Sequence, residues 1–224
     1  MSARSSLFRS ALVTGGASGI GAAAVAMLEA EACGVTSLDL ATGFDVAEPA
    51  AWESVGAVDF AFLNAGVATG STDVAELGDA EYRRAVGANV GGVVFGTRRM
   101  ARVMEPGSAI VATASLAGLV AMPLDPVYTL TKHAVVGFVR AVAPQLAERG
   151  ITINALCPGS ADTPIVEPEL REWADGQGIP LISPETVAAA ALAAARSGET
   201  GEAWVVQPGR EPLVYEFRGV PGPR

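Results

Sequence analysis

The segment that most constrains the fold lies near the N-terminus, where an apolar run from Leu7 to Thr14 enters TGGASGIG and then an alanine-rich stretch. This order of strand, glycine loop and helix aims free backbone N–H groups at a phosphate. Gly15 permits the tight turn, Gly19 the close approach of a phosphate, and Gly21 the packing of helix on strand. The spacing G-x-x-x-G-x-G differs from the usual dinucleotide fingerprint. In a chain with 26 glycines, these residues could instead mark an ordinary loop.

A second pattern indicates proton transfer. Tyr128 and Lys132 stand four residues apart in YTLTKHAV, and Ser115 lies upstream in TASLAG. On a helix this spacing puts both side chains on one face, so the ammonium can lie beside the phenol and lower its pKa. A serine hydroxyl within reach could hold the oxygen of an alcohol or ketone while the phenol exchanges its proton. Alone, such a pair also occurs on many ordinary helices.

Apolar runs alternate with helical patterns along the chain. Strands are predicted near 8–13, 34–38, 58–63, 108–113, 151–156 and 202–206, and the main helices near 19–32, 79–103, 126–149 and 184–197. This alternation predicts an α/β fold with a doubly wound, mostly parallel sheet and helices on both faces. No linker divides residues 1–224, so one domain is expected. The tail from about 208 to 224 is rich in proline and glycine, and is predicted to be irregular, either as a docking arm or as a frayed end.

Together these residues resemble the short-chain dehydrogenase/reductase family, in which TGxxxGxG binds a dinucleotide on a Rossmann-like sheet and an Asn-Ser-Tyr-Lys set carries catalysis. The resemblance runs from about Ala11 to Gly209. It implies that Tyr128 is the general acid/base, that Lys132 assists it, that Ser115 holds the substrate oxygen and that Asn89 supports a proton-relay water. It also implies a cofactor site formed by Gly15, Ser18, Gly19, Ile20, Gly21, Asp39, Asp45, Val46, Asn64, Ala65, Gly66, Tyr128, Lys132, Pro158, Gly159, Ala161 and Thr163.

Charge favours NAD over NADP as the cofactor. Asp39 closes the second strand, where an acidic residue accepts hydrogen bonds from the adenosine ribose and repels a 2′-phosphate. Asp39 could also simply end a strand as a turn residue. Only five residues separate Asp39 from Asp45, too few for the helical crossover that a parallel strand connection requires. The sheet is therefore predicted to be shortened between its second and fourth strands, with a short loop at Leu40 to Phe44 and a small helix around Glu48 to Ser54.

Composition bounds the partners. A formal net charge of −9 opposes binding to nucleic acid or an anionic membrane. Cys33 and Cys157 are predicted to be buried thiols rather than a disulfide. The one histidine, His133, is predicted to lie on a helix surface, and no Cys/His cluster suggests a metal. No apolar run is long enough for a membrane span, so a cytoplasmic location is expected.

The substrate is only loosely constrained. Six apolar residues are candidates for the pocket: Leu116, Val120, Met122, Leu124, Val67 and Ile165. They predict a secondary alcohol or ketone with a hydrophobic body, covered by a short lid at about 160–182. Three hypotheses stay open: an NAD-dependent alcohol dehydrogenase, an NADPH-dependent biosynthetic ketoreductase, and a non-catalytic dinucleotide-binding scaffold.

A homo-oligomer, either a dimer or a tetramer, is expected as well. The helices near 79–103 and 126–149 carry more apolar residues than one sheet face should cover. These residues are Val90, Val93, Val94, Phe95, Val135, Val136 and Phe138.

Overall fold

The fold is built on one twisted sheet, seen in a computed structural model that describes residues 8–166, 171–172, 176, 178 and 180–219. Its strands are β1 (Ser10–Thr14), β2 (Gly34–Leu38), β3 (Phe60–Leu63), β4 (Ala109–Thr113), β5 (Thr152–Pro158), β6 (Ala203–Val206) and β7 (Leu213–Val214). The strand order is β2-β1-β3-β4-β5-β6-β7, and every neighbouring pair is parallel except β6 and β7. The predicted α/β fold with a mostly parallel sheet is confirmed.

Five α-helices cover the two faces of this sheet in the described part of the chain. They are α1 (Gly19–Ala30), α2 (Asp79–Val86), α3 (Gly92–Val103), α4 (Pro126–Ala147) and α5 (Pro184–Arg196). One core lies between the sheet and helices α3 and α4, with Met100 and Val139 fully buried. The other lies beneath α1 and α5, with Leu28 and Val187 fully buried. Burial on both faces explains why β3 and β4 are continuous apolar runs.

The connection between β2 and β3 holds no crossover helix, as predicted. A short 3-10 turn covers Leu40–Thr42, and a second covers Pro49–Ser54, where a small helix was expected. Trp52 is buried and anchors this second turn, because its Nε1 donates to the Val46 carbonyl at 3.0 Å. Within the described residues, β2 is the last strand on its side and forms an edge of the sheet. A cleft of about 310 Å³, lined in part by Leu38, Phe44 and Val58, remains beside β1 and β2.

The expectation of an irregular tail from 208 to 224 is wrong at Leu213–Val214. The chain turns after β6, and β7 then pairs antiparallel with β6, with Val214 opposite Trp204. One side of β6 pairs with β5, and without β7 the backbone groups on its other side would be unpaired. The pairing with β7 satisfies some of these groups. Farther along, the Phe217 ring packs against the guanidinium of Arg140 on α4, with 3.7 Å between Arg140 Cζ and the centre of the ring. Residues 220–224 of the tail lie outside the described residues.

The apolar excess predicted on the α2–α3 and α4 helices is smaller than expected. Val93, Val135 and Val136 are at most 4% exposed because they pack into the core of the chain itself. Phe95 and Phe138 are half-buried and pack against the same core. These residues therefore give little support to a subunit interface, and the oligomeric state stays a prediction.

Candidate active site

The residues predicted for function gather at one end of the sheet, where the carboxyl ends of its parallel strands lie. The glycine loop follows β1, Asn64–Ala65–Gly66 follows β3, Ser115 follows β4, and the segment from Gly159 follows β5. In open α/β sheets this is where ligands bind. The topology thus brings together segments that are far apart in sequence.

The glycine loop has the backbone that its sequence predicts. Gly15 and Gly19 adopt positive φ angles of 67° and 51°, which residues with a Cβ rarely adopt. At Gly21 a Cβ would lie 2.0 Å from the Gly15 carbonyl oxygen, so only glycine allows α1 to start this close to the loop. Ser18 begins α1 without capping it through its side chain, and the first turn holds no acidic residue. The backbone N–H groups of the first turn of α1 can therefore bind an anion.

Asp39 ties the glycine loop to the turn after β2. One carboxylate oxygen accepts from Ala17 N at 3.0 Å and the other accepts from Ala41 N at 2.9 Å. Asp45 lies farther along, where its carboxylate accepts from Ala47 N at 2.8 Å. Val46 is buried. Of the predicted adenine-side residues, the structure thus places Asp39 directly against the glycine loop and uses Asp45 in a local turn.

Asn64, Ala65 and Gly66 form the wall behind this loop. The backbone N–H groups of Asn64 and Ala65 donate to Thr14 Oγ1 at 2.9 and 3.0 Å. Next to them, a Cβ at Gly66 would lie 3.0 Å from Asn89 Oδ1 and 3.4 Å from Lys132 Nζ. The wall therefore approaches the catalytic candidates closely, and glycine at position 66 leaves the space between them free.

The segment after β5 closes the side of the site opposite the wall formed by Asn64, Ala65 and Gly66. A Cβ at Gly19 would lie 3.0 Å from Thr163 Cγ2, so this segment meets the glycine loop. Ala161 is buried and bridges to Ile182, which fixes the segment to the start of α5. Arg171 forms an ion pair with Asp162. The predicted lid residues 167–170, 173–175, 177 and 179 lie outside the described residues.

Ser115, Tyr128 and Lys132 form the centre of the site. Ser115 lies close enough to Tyr128 to influence the pKa of the phenol, and its hydroxyl accepts from Ala117 N at 3.1 Å and donates to the Pro158 carbonyl at 3.5 Å. Lys132 is 2% exposed; its Nζ donates to the Thr113 carbonyl at 2.8 Å and lies 5.3 Å from the centre of the Tyr128 ring. It is also the single lysine of the sequence. The spacing of four residues on α4 does place both side chains on one face, as predicted.

Burial dominates the electrostatics of this centre. It raises the pKa of the Tyr128 phenol to about 12, an effect opposed by the Ser115 hydrogen bond and reinforced by the Asp125 carboxylate. Burial also lowers the pKa of the Lys132 ammonium to about 8. The expected lowering of the Tyr128 pKa by Lys132 is not found: burial dominates the shift, and the Lys132 ammonium donates to the Thr113 carbonyl instead. Cys157, also buried, has a pKa raised to about 12.

Asn89 is buried in a π-helical turn, Gly87–Gly91, between α2 and α3. Its Oδ1 accepts from Val67 N at 2.8 Å, and its Nδ2 donates to Val67 O at 2.8 Å and to Thr131 Oγ1 at 3.0 Å. Both amide hydrogens are therefore used within the protein. A relay water would have to be held by other groups of this turn or by the remaining lone pair of Oδ1.

The candidate pocket residues differ in exposure. Leu116, Met122 and Val67 are half-buried. In contrast, Val120, Leu124 and Ile165 are exposed by 57%, 56% and 41%.

Asp125 is the residue of this site that the sequence interpretation missed. It caps α4, since its Oδ1 accepts from Tyr128 N at 2.8 Å. The signal was present, because an aspartate followed by a proline is a typical start of a helix.

As predicted, Cys33 and Cys157 are free and buried, and His133 is exposed. Among the described residues, no group of His, Cys, Asp and Glu could hold a metal ion, and no helix is long and apolar enough to cross a membrane.

Comparison with known proteins gives consistent matches. A family model described as enoyl-(acyl carrier protein) reductase matches residues 44–210. A 3beta-hydroxysteroid dehydrogenase of Mediterraneibacter gnavus is 40% identical over 116 residues, which is 51% of this chain and only 42% of that protein. A 3beta-hydroxysteroid dehydrogenase 2 of Eggerthella lenta is 34% identical, covering 70% of this chain and 72% of that protein. A 2,5-dichloro-2,5-cyclohexadiene-1,4-diol dehydrogenase of Sphingobium indicum is 32% identical, covering 70% and 74%.

Solved structures show the same fold. A short-chain dehydrogenase/reductase of the glucose/ribitol dehydrogenase type from Brucella melitensis has a TM-score of 0.76 and 24% identity, covering 90% of this chain and 95% of that one. BdcA, solved in complex with NADPH, has a TM-score of 0.74 and 24% identity, covering 90% and 94%.

Proposed function

The chain belongs to the short-chain dehydrogenase/reductase family of oxidoreductases, and we propose that it transfers a hydride between NAD(H) and a secondary alcohol or ketone on an apolar, alicyclic body. The observation that carries the proposal is the grouping around Tyr128: the buried Lys132 Nζ lies 5.3 Å from the centre of its ring, and the Ser115 hydroxyl is near enough to lower the pKa of the phenol. A binding module has no need of an acid/base group placed against a second hydroxyl. This argues against the non-catalytic scaffold.

The site fits a nicotinamide dinucleotide. Its glycine loop keeps positive φ angles at Gly15 and Gly19, and the first turn of α1 leaves N–H groups for a pyrophosphate. Besides Gly15 and Gly19, the residues proposed to hold the cofactor are Ser18, Ile20, Gly21, Asp39, Asp45, Val46, Asn64, Ala65, Gly66, Tyr128, Lys132, Pro158, Gly159, Ala161 and Thr163. When bound, the nicotinamide ring accepts or supplies the hydride, and the protein provides position and electrostatics.

The residues of this chain move the proton. In alcohol oxidation, Tyr128 Oη accepts the proton of the substrate hydroxyl, and in ketone reduction it returns a proton to the carbonyl oxygen. Ser115 Oγ holds that oxygen and stabilises the charge that develops on it. Because burial raises the pKa of Tyr128 to about 12, the phenol is protonated at neutral pH and is ready to act as an acid. Oxidation should therefore become faster as the pH rises.

Lys132 has two proposed roles. Its ammonium can contact the ribose next to the nicotinamide, and it favours the phenolate when it turns from the Thr113 carbonyl towards Tyr128. A pKa of about 8 lets it exchange a proton with a relay near neutral pH. Asn89 lies beside it across Gly66 and holds the Val67 backbone in place.

Charge supports NAD rather than NADP. The Asp39 carboxylate contacts the glycine loop, and from there it would face the adenosine ribose and repel a 2′-phosphate. Neither residues 14–21 nor residues 40–45 contain a lysine or arginine that could pair with such a phosphate. An NADPH-dependent ketoreductase is therefore the weaker alternative.

An apolar, alicyclic substrate is supported by two observations. The exposed side chains near the site, Val120, Leu124 and Ile165, are apolar. Two relatives that each cover 70% of this chain are named for a steroid and for a cyclohexadiene-diol substrate. We further propose that the protein works as a cytoplasmic single-domain enzyme, covered by a short lid near 160–182 and assembled as a dimer or tetramer.

The test is an absorbance assay with NAD⁺ and a panel of secondary alcohols: aliphatic, alicyclic and steroidal. We expect NADH formation with alicyclic or steroidal alcohols, stronger at mildly alkaline than at neutral pH. Isothermal titration with NADH and NADPH in the same buffer tests the cofactor, and we expect NADH to bind at least about tenfold more tightly. Equal affinities would refute the role of Asp39. A protein that binds NADH but oxidises no alcohol and reduces no ketone would revive the scaffold hypothesis.

A further inference from the structure

Asp125 is a buried carboxylate that the proposed proton transfer does not use. It is 5% exposed, and each of its oxygens accepts one backbone N–H. Oδ1 accepts from Tyr128 N at 2.8 Å, and Oδ2 accepts from Thr69 N at 2.8 Å. The first donor lies in the opening turn of α4 and the second in the loop after β3. One side chain therefore joins the segment that carries the acid/base tyrosine to a separate loop of the site.

Helix capping explains only half of this arrangement. A serine would satisfy the N–H of Tyr128 equally well, as Ser183 does for Thr186 at the start of α5. A carboxylate costs free energy to bury, unless hydrogen bonds to the charge repay it. The second oxygen finds its donor at Thr69, 56 residues away in sequence. The charge is thus held by the bridge rather than by the cap alone.

A second link joins the same two segments. Thr131 Oγ1 donates to the Tyr128 carbonyl at 2.7 Å and accepts from Asn89 Nδ2 at 3.0 Å. Asn89 in turn holds both the N–H and the carbonyl of Val67 at 2.8 Å. The backbone of Tyr128 is therefore held on both sides, and both chains of hydrogen bonds end in the loop from Val67 to Thr69.

We propose that Asp125 is a positioning residue, which fixes the Tyr128 turn of α4 to the Val67–Thr69 loop and so sets the distance between the phenol and the substrate. The proposal rests on the function proposed above. In this arrangement the loop and the tyrosine move as one unit. Substrate binding and proton transfer should then both depend on Asp125, although its side chain touches neither the substrate nor the cofactor.

The charge of Asp125 adds a signature that a purely structural role lacks. Its carboxylate raises the pKa of Tyr128, in addition to the larger effect of burial. The other charged or titratable groups around this unit are Lys132 on α4, Cys157 on β5 and Arg84 of α2, whose guanidinium donates to the Ala68 carbonyl at 3.1 Å. His133 is exposed and contacts the Thr129 carbonyl. Removal of the Asp125 charge alone should make Tyr128 easier to deprotonate.

The kinetic test compares Asp125→Asn with Asp59→Asn. Asp59 is a matched control, because its carboxylate also accepts two backbone N–H groups, those of Arg9 and Ser10, but it lies at the opposite end of the sheet. We expect Asp125→Asn to lower kcat for alcohol oxidation about tenfold and to raise KM for the alcohol. The rising limb of its pH–rate profile should move to lower pH, with the affinity for NAD⁺ unchanged. Asp59→Asn should also lower thermal stability but keep both kinetic constants. Equal kinetics in the two variants would overturn the proposal.

An activity-independent test uses Asp125→Ser. Its hydroxyl can still accept from Tyr128 N but is too short to reach Thr69 N. We expect backbone hydrogen exchange at Thr69 to become at least about tenfold faster, while Tyr128 stays largely protected. Unchanged exchange at Thr69 would show that the bridge does not hold the loop. If the wild-type protein oxidises no alcohol, the proposed function fails, but this exchange measurement still decides the role of Asp125.

Discussion

Replacement of Lys132 by methionine should stabilise the protein at neutral pH while it abolishes turnover. The Lys132 side chain is 2% exposed, and burial lowers the pKa of its ammonium from 10.5 to about 8. Because a difference of one pKa unit corresponds to about 1.4 kcal/mol, the buried charge costs about 3 kcal/mol of folding free energy. Methionine also loses the hydrogen bond to the Thr113 carbonyl, worth about 1 kcal/mol. The expected net gain at pH 7 is about 2 kcal/mol.

The pH dependence of this gain has a definite sign. The folded-state pKa lies below the unfolded-state pKa, so between about pH 8 and 10.5 the unfolded chain binds more protons than the folded one. The wild-type penalty is therefore complete below about pH 8 and disappears above about 10.5. In that alkaline range Lys132→Met should be no more stable than the wild type, since only the lost hydrogen bond remains.

Urea unfolding in the presence of a reductant measures both limits, because buried Trp52 provides a fluorescence signal. His133→Met is the control: it places the same side chain at the next, exposed position and should change stability by less than about 0.5 kcal/mol. A Lys132→Met variant that is destabilised equally at neutral and alkaline pH would refute the reasoning. The site would then not hold a buried, penalised cation.

Three further substitutions test separate parts of the site. Gly21→Ala places a Cβ 2.0 Å from the Gly15 carbonyl oxygen, so we expect NADH affinity to fall by more than about tenfold and Tm to fall as well. The control Gly56→Ala, which has open space around its Cβ, should change neither quantity. Calorimetry measures the affinity and thermal unfolding the Tm, and normal NADH binding by Gly21→Ala would contradict the close packing at this position. Asp39→Ser removes the charge at the ribose side, and the NADH/NADPH affinity ratio should fall towards one; an unchanged ratio would count against charge as the cause. Ser115→Ala should lower kcat by about 10²-fold with little change in NADH affinity, because its hydrogen bond strengthens as charge develops on the substrate oxygen; full activity would remove Ser115 from the mechanism.

The sequence predicted the fold well because the constraints are local. Gly15, Gly19 and Gly21 act through their own backbone or a neighbour six residues away, and the gap from Asp39 to Asp45 excludes a crossover helix by length alone. The short strand at Leu213–Val214 was missed, because it depends on an edge of β6 that only the assembled sheet presents. Local patterns cannot reveal such long-range pairing.

Within the site, the identity of the groups was predictable but their partners were not. The spacing of Tyr128 and Lys132 indicated a shared helix face, yet it could not reveal that Lys132 donates to the Thr113 carbonyl. The extent of burial, which controls both pKa values, depends on strands β4 and β5 as well as on α4. In the same way, Asp125 carries a readable helix-start signal, but its bond to Thr69 follows only from the fold.

The central claim is that Tyr128 carries the proton in a hydride-transfer reaction. The most direct measurement is NADH formation from NAD⁺ and an alicyclic secondary alcohol by wild-type protein and Tyr128→Phe, together with NADH titration of both. We predict that Tyr128→Phe binds NADH like the wild type while kcat falls by about 10²-fold or more, because only the hydroxyl is lost. A Tyr128→Phe variant that binds NADH and keeps substantial activity would contradict the account.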